Sequence, residues 1–237
     1  MKSTKRNAVP RFWSIEIKKT KFVSSLFPGS HSKKESVPLI ILLRDILKIA
    51  DTKKEINQIL NARQVLVDNT VRTDVRFPVG LFDSVAIPSL NLFYRVTFNK
   101  IGHINAVKID KSESSEKLCK ITGKRICKDK KVQITLNDGR NILIDNSKKY
   151  NTKDSLLISV PEQKILKHIP FEKSNLVFLC AGTHIGEIAV IKNFNKFEGP
   201  KVNRVMLKSK EGKEFETIEK YAFVIGEKEP VIKIEQK

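Results

Sequence analysis

The sequence is poor in cysteine: Cys119, Cys127 and Cys180 are the only three in 237 residues. An odd count without close pairs argues against a disulfide framework and fits a reducing compartment. These thiols do not make a zinc site with the four histidines either. Cys180 and His184 are four apart and Cys119 and Cys127 eight apart, whereas a structural zinc needs four ligands at short paired spacings. Buried thiols are the expectation. Glycine is scarce too, at ten residues, and forms neither G-x-G-x-x-G nor G-x-x-x-x-G-K-[ST]. No phosphate-cradling nucleotide loop is therefore read from the chain. His31, His103, His168 and His184 sit in separate segments with no nucleophile motif nearby, so no catalytic residue is assigned and no cofactor or metal is expected. Long apolar runs are missing. The most apolar, 37–43, is far short of a membrane span, and no apolar core follows the basic residues 1–6 as in a signal peptide. A soluble, intracellular, non-enzymatic protein with no small-molecule substrate is the reading.

Negative charge is the other shortage. There are 26 acidic against 45 basic residues, a net charge of +19. Self-repulsion of that size burdens an isolated fold and points to a polyanionic partner. The charge is uneven: residues 1–54 carry a net +9, 55–90 a net −1, 91–175 a net +9 and 176–237 only +2. The cationic footprint lies in the N-terminal and middle parts.

The chain divides into four stretches. Residues 1–36 read as a basic arm with a few aromatic anchors, too poor in apolar area to order without a partner. Residues 37–90 read as two helices and a β-turn segment. Leu39, Leu42, Leu43, Ile46, Leu47 and Ala50 recur at helical spacing over 37–50. Thr52 and Glu55 have capping-box spacing ahead of a second helix that faces Ile56, Ile59 and Leu60 inward. Asp68-Asn69 is a turn pair. Residues 91–175 alternate as strands, with Asp138-Gly139 as a hairpin turn taking positive φ at both positions. Residues 176–237 read as five short strands closing a small barrel, with the 182–186 glycines making a tight turn. The fold class is α+β and multidomain.

The order of the parts resembles a known family. Lys5 to Trp13 (KRNAVPRFW), 37–45 (VPLIILLRD), 71–80 (VRTDVRFPVG), 117–121 (KLCKI), 138–141 (DGRN) and 168–171 (HIPF) look like the archaeal and eukaryotic small-subunit ribosomal protein four, the S-four-e family; 182–191 is similar to its KOW motif. The resemblance implies an S-four-type RNA-binding module at 37–90, a family-specific β-rich central domain at 91–175 and a KOW-type β-barrel at 176–237. It implies the shorter archaeal-type form, a structural role in the small ribosomal subunit in the cytoplasm, and small-subunit rRNA and neighbouring ribosomal proteins as partners. Ala181, Ala189 and Glu187 depart from the KOW pattern, so the barrel loop is left out of the RNA-contacting set. An RNA-modifying enzyme with an S-four-type delivery module, or a free KOW-type translation or transcription regulator, are the other classes.

The expected rRNA-binding residues follow from charge clustering. In the arm they are Lys2, Lys5, Arg6, Arg11, Lys18, Lys19, Lys33 and Lys34, with Trp13 (and Phe12) stacking on a base or on a neighbouring protein. In the module they are Arg44, Lys48, Lys53, Lys54, Arg63, Arg72 and Arg76, with no apolar partners implied for their heads. In the central domain they are Lys124, Arg125, Lys128, Lys130, Lys131 and Arg140. RNA is to be read mainly by shape and phosphate.

Overall fold

The computed structural model describes residues 3–16, 18, 20–127, 131–145 and 149–234. β1 (Ser3–Lys5) pairs antiparallel with β2 (Phe22–Ser24), Thr4 opposite Val23. The N-terminal segment is therefore not a free arm. Trp13 is 4% exposed, and its indole N–H donates to the Ser36 carbonyl at 2.9 Å. Phe12 meets Phe98 edge-on at 5.8 Å, and its carbonyl accepts from Ile104 N. The few apolar residues of this segment are spent on the protein's own core, and strand pairing satisfies the backbone between them.

β3 (Ser36–Pro38) leads into α1 (Leu39–Ile41), which widens into a π-helical turn, Leu42–Ile46. The single helix expected over 37–50 is thus shorter and irregular. Val37 precedes a proline and stays extended, Leu47 N reaches back to Leu42 O, and Lys48 with φ 51° ends the turn. Leu39 through Leu43 are all buried, so the segment is a core plug rather than an amphipathic stripe. α2 (Lys53–Asn61) opens on the expected capping box: the Thr52 hydroxyl accepts from Glu55 N and the Glu55 carboxylate accepts from Thr52 N, both at 3.3 Å. Ile56 and Leu60 face the core.

β4 (Leu66–Val67) and β5 (Thr70–Val71) are joined by Asp68 and Asn69, both at positive φ as a two-residue hairpin requires. β6 (Pro78–Gly80) pairs with β3. β7 (Ser84–Ile87), β8 (Leu92–Phe98) and β9 (Ile104–Lys108) complete an antiparallel sheet of order β5-β4-β7-β8-β9. This sheet crosses residue 90, where the sequence pattern changes, because Ile87 lies opposite Leu92 around a left-handed Asn91. The central sheet begins at β10 (Glu116–Ile126) and continues through β11 (Val132–Leu136), β12 (Asn141–Ile144), β13 (Ser155–Ser159) and β14 (Ile165–Ile169) in the order β12-β11-β10-β13-β14. β10 serves β13 with its first half and β11 with its second, bending at a bulge between Ile121 and Gly123. At the β11–β12 hairpin only Gly139 takes positive φ; Gly139 N donates to Leu136 O, a type I turn with a glycine bulge rather than the two left-handed residues expected.

The C-terminal sheet, β15 (Leu176–Leu179), β16 (Ile188–Asn195), β17 (Arg204–Ser209), β18 (Glu214–Ile218) and β19 (Ala222–Gly226), runs β18-β17-β16-β15-β19. Among the described residues the ladder ends at β18 and β19, with no hydrogen-bonded closure between them. Its inner face shares one core with the N-terminal half: Phe82 packs at a tilt on Phe178 at 5.5 Å and meets Phe223 edge-on at 5.0 Å. A separate small core of Cys119, Ile121, Ile134, Leu136, Leu156, Ile158 and Val160 lies within the central sheet.

Candidate nucleic-acid interface

Cations in this protein fall into three kinds. The first is enclosed. Lys117, fully buried on β10, places its ammonium 2.6 Å from Asp68 Oδ2, 2.6 Å from Asp83 Oδ1 and 3.2 Å from Asp138 Oδ2. Asp68 comes from the β4–β5 turn, Asp83 from the β6–β7 connection and Asp138 from the β11–β12 hairpin. The carboxylates are further occupied. Arg140 Nη2 reaches Asp68 at 2.9 Å, His31 Nε2 reaches Asp83 at 2.9 Å, and Gly80 N and Ser84 N donate to Asp83 and Asp68. Burial is the largest influence on Asp83 and alone raises its pKa, but His31 and Lys117 outweigh it and hold the carboxyl below its ordinary value. Asp138 likewise is raised by burial and lowered further by Lys117 and Arg140. For Lys117 burial works downward, and the carboxylates of Asp68 and Asp83 carry the ammonium well above its ordinary range. The result is a salt-bridge knot joining the N-terminal sheet to the central sheet. Asn69 Nδ2 to Val160 O (3.0 Å) and Ser84 Oγ to Ser114 O (2.9 Å) tie the same joint.

The second kind is exposed. Lys5, Arg11, Lys18, Lys33, Lys34, Lys48, Lys54, Arg63, Arg125 and Lys131 lie on the surface and make no ion pair among the described residues. Lys53 is half-buried, Arg6 points Nη2 toward Ile15 O at 3.4 Å, and Lys124 Nζ donates to Tyr150 O at 2.8 Å. Lys2, Lys19, Lys128 and Lys130 lie outside the described residues. Three arginines have partners the sequence did not suggest. Arg44 is bidentate on its neighbour Asp45, at 2.9 Å twice. Arg72 lies over the Phe77 ring at 4.2 Å and Arg76 over Phe27 at 4.9 Å, so the expectation of no apolar partners is corrected for these two heads.

The third kind is neutralised on the surface. On the C-terminal sheet Lys192 of β16 reaches past β17 to Glu214 of β18 at 2.6 Å, and Arg204 of β17 pairs with Glu216 of the adjacent β18 at 3.0 Å. The 182–186 loop faces its own chain. A Cβ on Gly186 (φ 82°) would sit 2.2 Å from Asn99 O, so this glycine is required by the approach of the β8–β9 turn.

Two expected RNA-contacting residues are therefore corrected. Trp13 is a core anchor and has no ring face free to stack on a base. Arg140 belongs to the Lys117 knot, where Asp68 and Asp138 hold it. Sequence reasoning missed Lys117, Asp83 and His31 altogether; their pairing depends on long-range folding that no local pattern encodes. Lys120, on β10, donates inward to Ala222 O at 2.6 Å. Burial lifts the Cys180 thiol to about 12 and raises that of Cys119, while Cys127 is only partly covered. Among the described residues no group of three or more His, Cys, Asp and Glu is arranged to hold a metal ion; Lys117 occupies the one place where three carboxylates converge. No described helix is long and apolar enough to cross a membrane.

A mostly antiparallel β protein with this excess of exposed cations in its N-terminal and central parts has the build of a polyanion-binding protein. Comparison with known proteins defines it further. The model of the ribosomal family S4e matches residues 90–165. Small ribosomal subunit protein eS4 of Methanocella arvoryzae is 40% identical over 228 residues, covering 96% of this chain and 95% of that protein. Its counterpart in Methanocaldococcus jannaschii is 42% identical over 238 residues, covering 97% and 96%. The crystal structure of the 30S ribosomal protein S4e from Thermoplasma acidophilum superposes with a TM-score of 0.69 at 31% identity, covering 81% of this chain and 95% of that one. The chain belongs to the S4e family of ribosomal proteins.

Proposed function

We propose that this protein is a structural constituent of the small ribosomal subunit that binds small-subunit rRNA and takes no part in covalent chemistry. The near-full-length identity of about 40% to proteins named small ribosomal subunit protein eS4 carries this reading. The relatives' names speak for the ribosome, in the cytoplasm, as its place, and for neighbouring ribosomal proteins beside the RNA as its partners. They lend no support to an RNA-modifying enzyme or to a free regulator. The finer architecture belongs to the same proposal: an S-four-type RNA-binding module about α1 and α2, a family-specific central sheet, and a KOW-type unit formed by the C-terminal sheet, whose 182–186 loop has glycines at positive φ.

Exposed lysines and arginines of the N-terminal segment, the helical module and the central sheet displace counterions from rRNA phosphates. Lys5, Arg11, Lys33, Lys34, Lys48, Lys54, Arg63, Arg125 and Lys131 are the described members with no protein anion to compete for them. Lys18 joins them, and Arg6, Arg44, Lys53, Arg72, Arg76 and Lys124 flank them with partly occupied heads. Tagged protein expressed in cells is expected to travel with the small subunit through a sucrose gradient. A population that stays at the top of the gradient at moderate salt, or turnover of purified rRNA by the protein, defeats the proposal.

A further inference from the structure

Trp13 is buried, yet the protein does present aromatic surface in its basic half. Phe27 is 49% exposed. The Arg76 guanidinium covers one side of its ring at 4.9 Å, and a few residues away Arg72 lies over Phe77 at 4.2 Å. These pairs are held in place. Phe27 N donates to Arg76 O at 2.9 Å, and Arg76 N donates to Asp74 Oδ1 at 2.8 Å, the same oxygen standing 3.6 Å from Arg76 Nε. Phe77 O and Val75 O accept from Leu39 N and Ile40 N, fastening the segment to the start of α1. The Arg72 Nε is enclosed and has no acceptor among the described residues.

Resting on the reading that this half of the molecule meets RNA, we infer that the Phe27–Arg76 pair, with Arg72–Phe77 beside it, is a stacking platform for one unpaired base of a folded RNA. A guanidinium over a ring can still turn N–H groups at its edge toward phosphate, while exposed ring surface offers a nucleobase a flat partner. Stacking of this kind tolerates any base, because every base has a π-face. An apolar patch on a neighbouring protein is the poorer match. It would strip water from Arg72, whose Nε has no acceptor among the described residues, and return none, whereas a nucleotide supplies both a ring and an anion. The platform adds to shape recognition a preference for RNA in which a base is already out of its helix.

The test uses the full chain and two RNA hairpins of equal length and charge, one fully paired and one with a single bulged 2-aminopurine. The protein should bind the bulged hairpin about tenfold more tightly and change its 2-aminopurine emission on binding. Phe27→Leu and Arg76→Lys should each abolish that preference, and Phe27→Leu should leave affinity for the paired hairpin within about twofold. Arg76→Lys keeps the charge, so it tests stacking even if the first variant folds poorly. Equal affinity of the parent protein for both hairpins overturns the inference while leaving RNA binding intact. So does a loss that is the same on both RNAs, or variants that leave the preference untouched, the result expected if Phe27 serves a protein neighbour. Failure to bind either hairpin overturns the RNA reading itself.

Discussion

The N-terminal half and the C-terminal sheet handle positive charge in opposite ways. On the sheet of β15 to β19, Lys192 and Arg204 each pair with a glutamate of β18, and the segment is close to neutral. On the helical module Lys48, Lys54 and Arg63 face solvent with no anion set against them. The same residue types are a finished surface in one place and an unfinished one in the other. The joint between the N-terminal and central sheets shows a third treatment, in which the anions of three segments close around a lysine. Net charge alone therefore says little about where a polyanion docks; the count of cations left without a protein partner says more.

The largest expected effect comes from opening the joint. Lys117→Met leaves Asp68, Asp83 and Asp138 buried with one cation fewer, and should cost about 3–5 kcal/mol at neutral pH. The sign with pH follows from the directions of the shifts. In the parent protein the depressed carboxyls of Asp83 and Asp138 contribute stability that is complete above the ordinary carboxylate pKa of about 4 and is lost as pH falls through their folded values. The raised Lys117 contributes stability that is complete below its ordinary pKa and is lost as pH rises through its folded value. Without the ammonium, burial prevails and moves the carboxyls upward, so the variant gains on the parent as pH drops from 7 toward 4. Urea midpoints at several pH values measure this. A gap that stays constant over that range would show that the carboxylates are not held ionised by Lys117.

Second in size is the effect of reversing the unfinished surface. The triple change of Lys48, Lys54 and Arg63 to Glu should weaken binding of small-subunit rRNA and flatten the dependence of log K on log salt by about 3, near one unit per phosphate contact. Folding should be unaffected, since none of the three has a protein partner. The same triple change at Lys210, Lys213 and Lys228, exposed in the C-terminal part, is the control. Equal losses in the two triples break the comparison, because the module is then no better a grip than the sheet.

Much of the local structure behind this contrast was legible in the sequence. Thr52 and Glu55 announce their cap, Asp68-Asn69 its turn, and the alternation of β11, β12, β17 and β18 their strands, because each depends on neighbours a few residues away. What escaped reading is long-range. Lys117 meets Asp68, Asp83 and Asp138 from points 49, 34 and 21 positions off along the chain. Without the fold a buried lysine looks like any other member of a basic run. Trp13 misled for a related reason: in a segment this basic, an aromatic reads as a contact for RNA, whereas the protein uses it to fasten that segment to Ser36. The sheet that crosses residue 90 was hidden because pattern changes mark exposure along a strand as readily as they mark a boundary between sheets.

The smallest effect sharpens the comparison from the other side. Glu214→Gln with Glu216→Gln removes the cross-strand anions and leaves Lys192 and Arg204 in place. Both pairs are at the surface and screened, so the thermal midpoint should barely move. What should change is binding. Two cations become available, and non-specific affinity for any duplex RNA should rise, with a salt dependence about one to two units steeper. Affinity for the small-subunit rRNA should change less if, as proposed, the other half of the protein grips it. If the double variant instead gains specific rRNA affinity as strongly as non-specific, then the C-terminal sheet lies against the RNA, and its glutamates set the strength of that contact rather than keeping the surface away from it.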